Sequence, residues 1–367
     1  MIDANDIDPI EIDGAELLNT LRAFLENFIA YPTRSALVAH VLWIAHTWLM
    51  ECWESTPRIA FLSPEPGSGK SRALEVTEPL VPRAVMSVNT TSAYLFRKVS
   101  SADGAPTILY DEIDTVFGPK AKENEDIRGL INAGHRKGAT AGRCVVRGRT
   151  VDTEELPAYC AVALAGLDDL PDTIMTRCVV VRMQRRSPAE KVQPWRRRVN
   201  GPDAESIARR LSQWADGIRE RAKDYWPEMP AGLEDRPADV WEALLAVADL
   251  AGGHWSETAR VAAVTDVTES KRRTPSLGVL LLRDIRAIFD DLGKDRLSTV
   301  QVLTDLREME DSPWATIQRG EPITPRGLAQ RLKKYGIQPE TQRMAELVLK
   351  GYTRSQFEDA WSRYLDD

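Results

Sequence analysis

The chain has 367 residues, enough for two or three domains, and its 43% apolar and 28% charged composition is globular rather than disordered. A net charge of −7 excludes a protein coated in nucleic acid over its whole surface but leaves room for a local basic channel. Cys52, Cys144, Cys160 and Cys178 form no C-x-x-C pair, and His40, His46, His135 and His254 add no metal-ligand spacing, so the thiols fit a reducing cytoplasm.

The first residues are acidic, without the basic start of a secretory signal. Leu17, Leu18, Leu21, Phe24, Leu25 and Phe28 recur at helical spacing, and Pro32 ends the pattern. The uncharged stretch 35–50 is the one membrane candidate. It is shorter than a span needs and carries two histidines, so it reads as a buried helix starting at Thr33. No membrane association is expected.

Five short, nearly all-apolar runs follow, at 59–63, 84–88, 107–111, 161–166 and 178–183. Strands buried on both faces look like this, and their alternation with helices predicts an α/β fold on a parallel sheet. Between the third and fourth runs, 142–151 reads as a β-hairpin turning at Arg147-Gly148, with Arg147 and Arg149 near its tip. Arg182, Arg185, Arg186, Arg196, Arg197 and Arg198 form a basic stretch after the fifth run, read as a solvated face or an intersubunit contact.

Helical patterns return from 204 to about 253, and the polar stretch 265–275 is the expected linker. The rest reads as a small domain. A helix over 277–292 precedes one capped by Ser298, and Thr324-Pro325 opens a third, which carries Arg326, Arg331, Lys333 and Lys334. A β-wing at 342–352 and a helix at 355–364 complete a winged-helix-like order whose partner is DNA or a protein. The expected division is 1–56 helical, 57–190 the sheet core, 191–270 helical and 276–367 the C-terminal domain.

Two of these places carry chemistry. Gly67-Ser68-Gly69-Lys70-Ser71 follows the first strand and opens a helix, the setting in which backbone amides cradle phosphates. The amides around Pro66, Gly67, Ser68 and Gly69 would face the phosphates of ATP. Lys70 would reach the β- and γ-oxygens, and the Ser71 hydroxyl would join Mg²⁺. Pro64 stands where the strict motif has glycine, so the chain must enter the loop by another turn. The third strand ends in Asp111 and Glu112. Asp111 is expected to hold Mg²⁺ through water and Glu112 to polarise the attacking water, with Asp114 a local cap or network residue.

With loop, acidic strand and five-strand alternation together, the chain resembles the AAA+ ATPases. More narrowly, 63–71, the acidic strand and Asn132-Ala133-Gly134-His135-Arg136 look like a helicase-like family of actinobacterial phages and prophages, over most of the chain. The resemblance implies a homo-oligomeric, hexameric ring with ATP between subunits. In it Arg177, just before the last core strand, reaches the neighbour's γ-phosphate, and Arg236 is a lid arginine sensing nucleotide. It leaves the sensor after the fourth strand unassigned, since Ala165-Gly166-Leu167-Asp168 offers only Asp168. The hairpin is placed like that of ring helicases, with Arg147 and Arg149 holding a single DNA strand. Two readings remain open: a DNA motor of replicative helicase or initiator type, working with replication proteins, and a nucleotide-switched regulator that binds protein partners without translocating DNA.

Overall fold

In the computed structural model of the protein, the described residues are 12–365 apart from 89, 102, 118–123, 148–149, 168, 273–275, 310–311, 319 and 345–346. They form two compact units, the first ending at Lys271 and the second beginning at Arg272.

The first unit opens with α1 (Gly14–Phe28) and α2 (Arg34–Thr47), the latter capped by Thr33, whose side chain accepts from Ala36 N–H. From Leu37 to Thr47 every residue of α2 is buried, so the membrane candidate is a core helix. No helix among the described residues is long and apolar enough to cross a membrane. There follow β1 (Arg58–Leu62), α3 (Lys70–Thr77), β2 (Ala84–Ser87), α4 (Ser92–Val99), β3 (Thr107–Tyr110), the single turn α5 (Asp114–Phe117) and α6 (Glu125–Ala133). A hairpin of β4 (Thr140–Arg147) and β5 (Thr150–Pro157) precedes β6 (Ala161–Gly166), α7 (Asp172–Met175) and β7 (Cys178–Arg182).

β1, β2, β3, β6 and β7 make a five-stranded parallel sheet in the order β2-β3-β6-β1-β7. These are the five apolar runs. Ile59 and Phe61 enter one core layer and Ala60 and Leu62 the other, as alternating side chains of a doubly covered strand must. The first layer includes Leu17, Leu21, Trp43 and Leu74. The second is filled by α4 and α6 through Leu95, Phe96, Ile127 and Leu130. In the hairpin the last described pair is Arg147 with Thr150.

α8 (Arg197–Lys223), α9 (Asp235–Ala251) and α10 (Trp255–Arg272) then pack on the same side as α1 and α2, in one core with them. The N-terminal and the later helical regions therefore share one core. The stretch 265–272 is not a linker. α10 runs through it because Trp255, Ala259, Ala262, Ala263 and Val267 bury one helical stripe. Alanines carry little apolar signal, which hid that stripe behind the polar residues.

The second unit holds α11 (Leu277–Leu292), β8 (Arg296–Ser298), α12 (Thr299–Glu308), α13 (Pro325–Leu332), β9 (Glu340–Met344), β10 (Leu347–Thr353) and α14 (Glu358–Tyr364). Ser298 and Thr324 cap α12 and α13 as expected, accepting from Gln301 and Gly327 N–H. The three strands form an antiparallel sheet in the order β8-β10-β9. Its core is aromatic, with Phe289, Trp314, Tyr352, Phe357 and Trp361 buried together.

Candidate functional site

All five parallel strands end at one edge of the sheet, and both chemical motifs lie there. The loop follows β1. The acids follow β3, which is separated from β1 by β6 alone, a gap of about 10 Å at two strand spacings. Gly67 and Gly69 take φ of 75° and 88°, left-handed values a side chain would resist, and Gly69 leads directly into α3. Among the described residues no main-chain acceptor takes the N–H groups of Gly67, Ser68 or Gly69 outside the helix ladder. Ser63 is buried and staples the entry to the loop, its hydroxyl accepting from Glu65 N–H at 3.2 Å. That bond supplies the turn that Pro64 cannot.

Lys70 heads α3, and its Nζ donates to Glu65 O at 2.9 Å, Ser68 Oγ at 3.2 Å and Ser63 O at 3.3 Å. Partial burial holds its ammonium below the usual range, and Asp114, Asp111 and Glu65 pull it back up. The lysine thus feels carboxylates from β3's end as well as from its own loop. Asp111 is half-buried and its Oδ1 accepts from Glu112 N–H at 2.9 Å. Glu112 is exposed, with a φ of 54°, a conformation that costs a side-chain-bearing residue on the order of 1–2 kcal/mol. Asp114 is a network residue as expected, accepting from Leu167 N–H at 3.0 Å. Gly166 explains the missing polar side chain after β6. A Cβ there would stand 2.8 Å from Ile113 Cγ2 and 3.0 Å from Asp114 Oδ1, so the strand's end must be glycine for the acidic turn to close on it. Asp168 lies outside the described residues.

Beside the loop is a cleft of about 170 Å³, walled by Gly67, Ser68 and Gly69 on one side and by Phe28, Ile29, Ala30, Met183 and Val192 on the other, with Arg72 and Arg186 at its polar rim. Arg185 braces the loop, donating from Nε to Pro66 O at 2.9 Å and approaching Glu65 at 3.4 Å. The basic stretch is accordingly not a single face. Arg182 pairs with Asp169, Arg185 with the loop, and Arg197 with Glu78 at 2.9 Å. Neither the 28–30 wall nor the Arg185 brace had a signal in the sequence, because both are contacts across more than thirty positions. A Ser71 hydroxyl, a half-buried Asp111 carboxylate, phosphate oxygens and water form a donor set that suits Mg²⁺, which keeps several waters in such sites. Among the described residues no group of three or more His, Cys, Asp or Glu is placed to hold a metal.

The remaining residues fall elsewhere. Arg177 opens β7 at the opposite edge, its carbonyl accepting from Arg58 N–H at 2.9 Å, a strand length of about 16 Å from its own loop. Arg236 belongs with it. It lines a pocket with Arg177, His135 and Thr56, near the starts of β1 and β7. Arg236 therefore stands at the sheet edge away from its own chain's loop. Arg147 ends β4, and Arg149 lies outside the described residues. In the second unit Arg326, Lys333 and Lys334 are exposed and Arg331 is half-buried; Arg326 and Lys333 border a cleft of about 340 Å³ with Gln330 and Gln338.

The model of the family described as "Protein of unknown function (DUF3631)" matches residues 182–364. An "Uncharacterized 28.9 kDa protein in xis 5'region" of Saccharopolyspora erythraea is 37% identical over 187 residues, covering 50% of this chain and 69% of that protein. The chain belongs to the DUF3631 family. The family match begins in the last residue of β7, so in this DUF3631 member the loop, the acids and Arg177 precede the matched region. Two apo structures of the NrS-1 C terminal region are similar to the DUF3631 chain at 12% identity. They cover 95% of this chain and 77% of theirs, with a TM-score of 0.43 for each.

Proposed function

We propose that this chain is an AAA+-type ATPase that binds ATP with Mg²⁺ in the cleft at the sheet edge and works as a ring-forming motor on single-stranded DNA. The observation that carries the reading is the convergence on Lys70 of its glycine loop and of Asp111 and Asp114 from the far side of β6. Free amides in left-handed glycine turns make a nest for phosphates at the head of α3. Lys70 would exchange three loop acceptors for β- and γ-oxygens. Ser71 and Asp111 would hold Mg²⁺, and the apolar wall of Phe28, Ile29 and Met183 suits a purine base. Glu112, exposed and free of ion pairs among the described residues, is placed to orient a water for in-line attack on the γ-phosphate.

The position of Arg177 supports an intersubunit reading of the site. It is too far from its own loop to touch the nucleotide there, and a neighbouring copy would present it to the γ-phosphate. The β4–β5 hairpin, with Arg147 and Arg149, would hold the strand by its phosphates. The second unit, with four α-helices and an antiparallel wing among its described residues, fits a winged-helix module that sets α13 and its cations against DNA.

Glu112→Gln tests the chemistry. ATP binding should persist while turnover falls by about 10²–10⁴-fold, the share of a general base. An unchanged rate removes Glu112 from the reaction. Single-stranded DNA tests the task, because a motor's ATPase should rise with it. Indifference to DNA would replace the motor with a nucleotide-switched regulator.

A further inference from the structure

Arg58 is a buried cation that the site described above does not use. It opens β1 with none of its surface exposed, and among the described residues no carboxylate pairs with it. Two thiols lie near it, but burial pushes Cys160 up to about 11 and Cys178 up to about 12, so neither supplies a counter-charge near pH 7. The guanidinium is solvated instead by two main-chain carbonyls. Nη1 donates to Cys160 O at 2.6 Å and Nη2 to Ile131 O at 3.2 Å, while Nε has no partner. Packing alone would be better served by an apolar side chain, because a buried charge is costly to strip of water.

The two carbonyls are the feet of the β4–β5 hairpin. Ile131 lies in the last turn of α6, which leads into β4, and Cys160 stands between β5 and β6. Other bonds close the base around them. Cys160 N–H donates to Gly134 O at 3.1 Å, and Ala158 N–H to Ala139 O at 2.9 Å. Gly134 passes so close to Ala158 that a Cβ would stand 2.2 Å from its carbonyl oxygen. Asn132 Oδ1 accepts from Arg177 Nη1 at 2.8 Å, and the His135 carbonyl accepts from Thr56 N–H at 2.8 Å beside the start of β1. Each hairpin strand has eight residues and so extends about 26 Å from this base.

Two carbonyls with one buried cation between them cannot part freely. If either foot shifts alone, the charge loses half of its solvation where no water replaces it. The feet therefore move together, and Arg58 moves with them. Two strands run from this clamp to the candidate site. β1 begins at Arg58 itself and leads into the glycine loop; β6 begins one residue after the second foot and ends at Gly166, against Asp114. There Ser63 N–H donates to Gly166 O at 3.3 Å, so the strands that Arg58 ties at one end are tied again beside Lys70 at the other.

We propose that Arg58 is a positioning residue that couples the hairpin's hold on single-stranded DNA to the phosphate loop at the far ends of β1 and β6. The inference rests on the ATPase reading given above and adds to it the joint at which the two activities meet.

The test compares full-length wild type with Arg58→Lys, which keeps the charge and loses the fork that holds two carbonyls in one plane. ATPase turnover is measured with and without oligo-dT, and oligo-dT affinity by fluorescence anisotropy. In Arg58→Lys, basal turnover and affinity should stay within about twofold of wild type, while the ratio of stimulated to basal turnover falls to about one. A side chain that merely held the fold together would lower both rates by one factor and leave the ratio alone. That result, or a wild-type ratio in the variant, overturns the proposal. A second arm needs no catalysis. Hydrogen exchange without nucleotide should show oligo-dT slowing amides at 158–160 and 63–70 in wild type, and only within the hairpin in Arg58→Lys. Slowing confined to 140–157 in wild type overturns the proposal, even if Arg58→Lys fails to fold. If wild type hydrolyses no ATP yet shows the distant slowing, the motor reading fails and the coupling stands. If it hydrolyses ATP but does not bind oligo-dT, the hairpin has nothing to transmit and the coupling falls while the ATP site remains.

Discussion

Two histidines sealed beneath the site make the stability of the first unit depend on pH in a way that can be calculated. His40 and His46 on α2 are fully buried, and burial lowers His40 from 6.5 to about 3 and His46 to about 4. His40 bridges Tyr31 Oη at 2.7 Å and Thr77 Oγ1 at 2.9 Å, which ties α2 to the helix that opens with Lys70. His46 is held between Trp43 O and Thr56 Oγ1, each at 2.8 Å. Unfolding releases both rings to an ordinary pKa near 6.5, so the unfolded chain binds more protons wherever the pH lies below that value. Their contribution to stability is complete above pH 6.5 and shrinks as pH falls towards the folded values. At pH 5 each histidine has lost about 2 kcal/mol by this linkage, about 4 kcal/mol for the pair. The figure hardly depends on the folded values so long as both lie well below 5. Urea unfolding of wild type and of His40→Gln/His46→Gln, at pH 7.5 and pH 5, isolates the effect from carboxylates common to both. The wild type should lose about 4 kcal/mol more than the variant across that interval. Equal losses in the two proteins would refute the reasoning.

Other expectations follow from single contacts. Trp314→Phe removes the 2.7 Å bond to the buried Asp284 carboxylate, leaving Arg283 at 3.4 Å. The second unit should lose about 1.5–3 kcal/mol in urea unfolding, and a loss below about 0.5 would show that the carboxylate does not need its indole donor. Arg326→Glu/Lys333→Glu should weaken duplex binding and reduce the slope of log affinity against log salt by about two, read by fluorescence anisotropy across a salt series. An unchanged slope would take this face off the DNA. Arg147→Ala/Arg149→Ala should abolish stimulation of the ATPase by single-stranded DNA, and full stimulation in that variant would remove the hairpin from the strand path.

Local rules read well along this chain. Thr33, Ser298 and Thr324 were recognisable as caps because each cap is settled within three residues. The five strands were recognisable because burial on both faces leaves no polar positions. The loop and the acids were legible as types of residue at the ends of such strands. Tertiary contacts decided what those types could do together. The strand order placed β6 between loop and acids and so set the gap between them; it also put Gly166 where a polar side chain was sought. Arg185, Asn132 and the 28–30 wall took their roles from neighbours far along the chain.

Arg236 shows the division most clearly. Composition and spacing mark an arginine at the start of a helix, and they do so for any edge of the sheet that helix happens to meet. The sequence by itself determined the apolar strands, the caps and the chemical groups at their ends, because these depend on neighbours a few residues away. Only the folded position of the start of α9, beside Thr56 and Arg177, decided that Arg236 stands with Arg177, a strand's length from Lys70, because charge acts through distance in space and not along the chain.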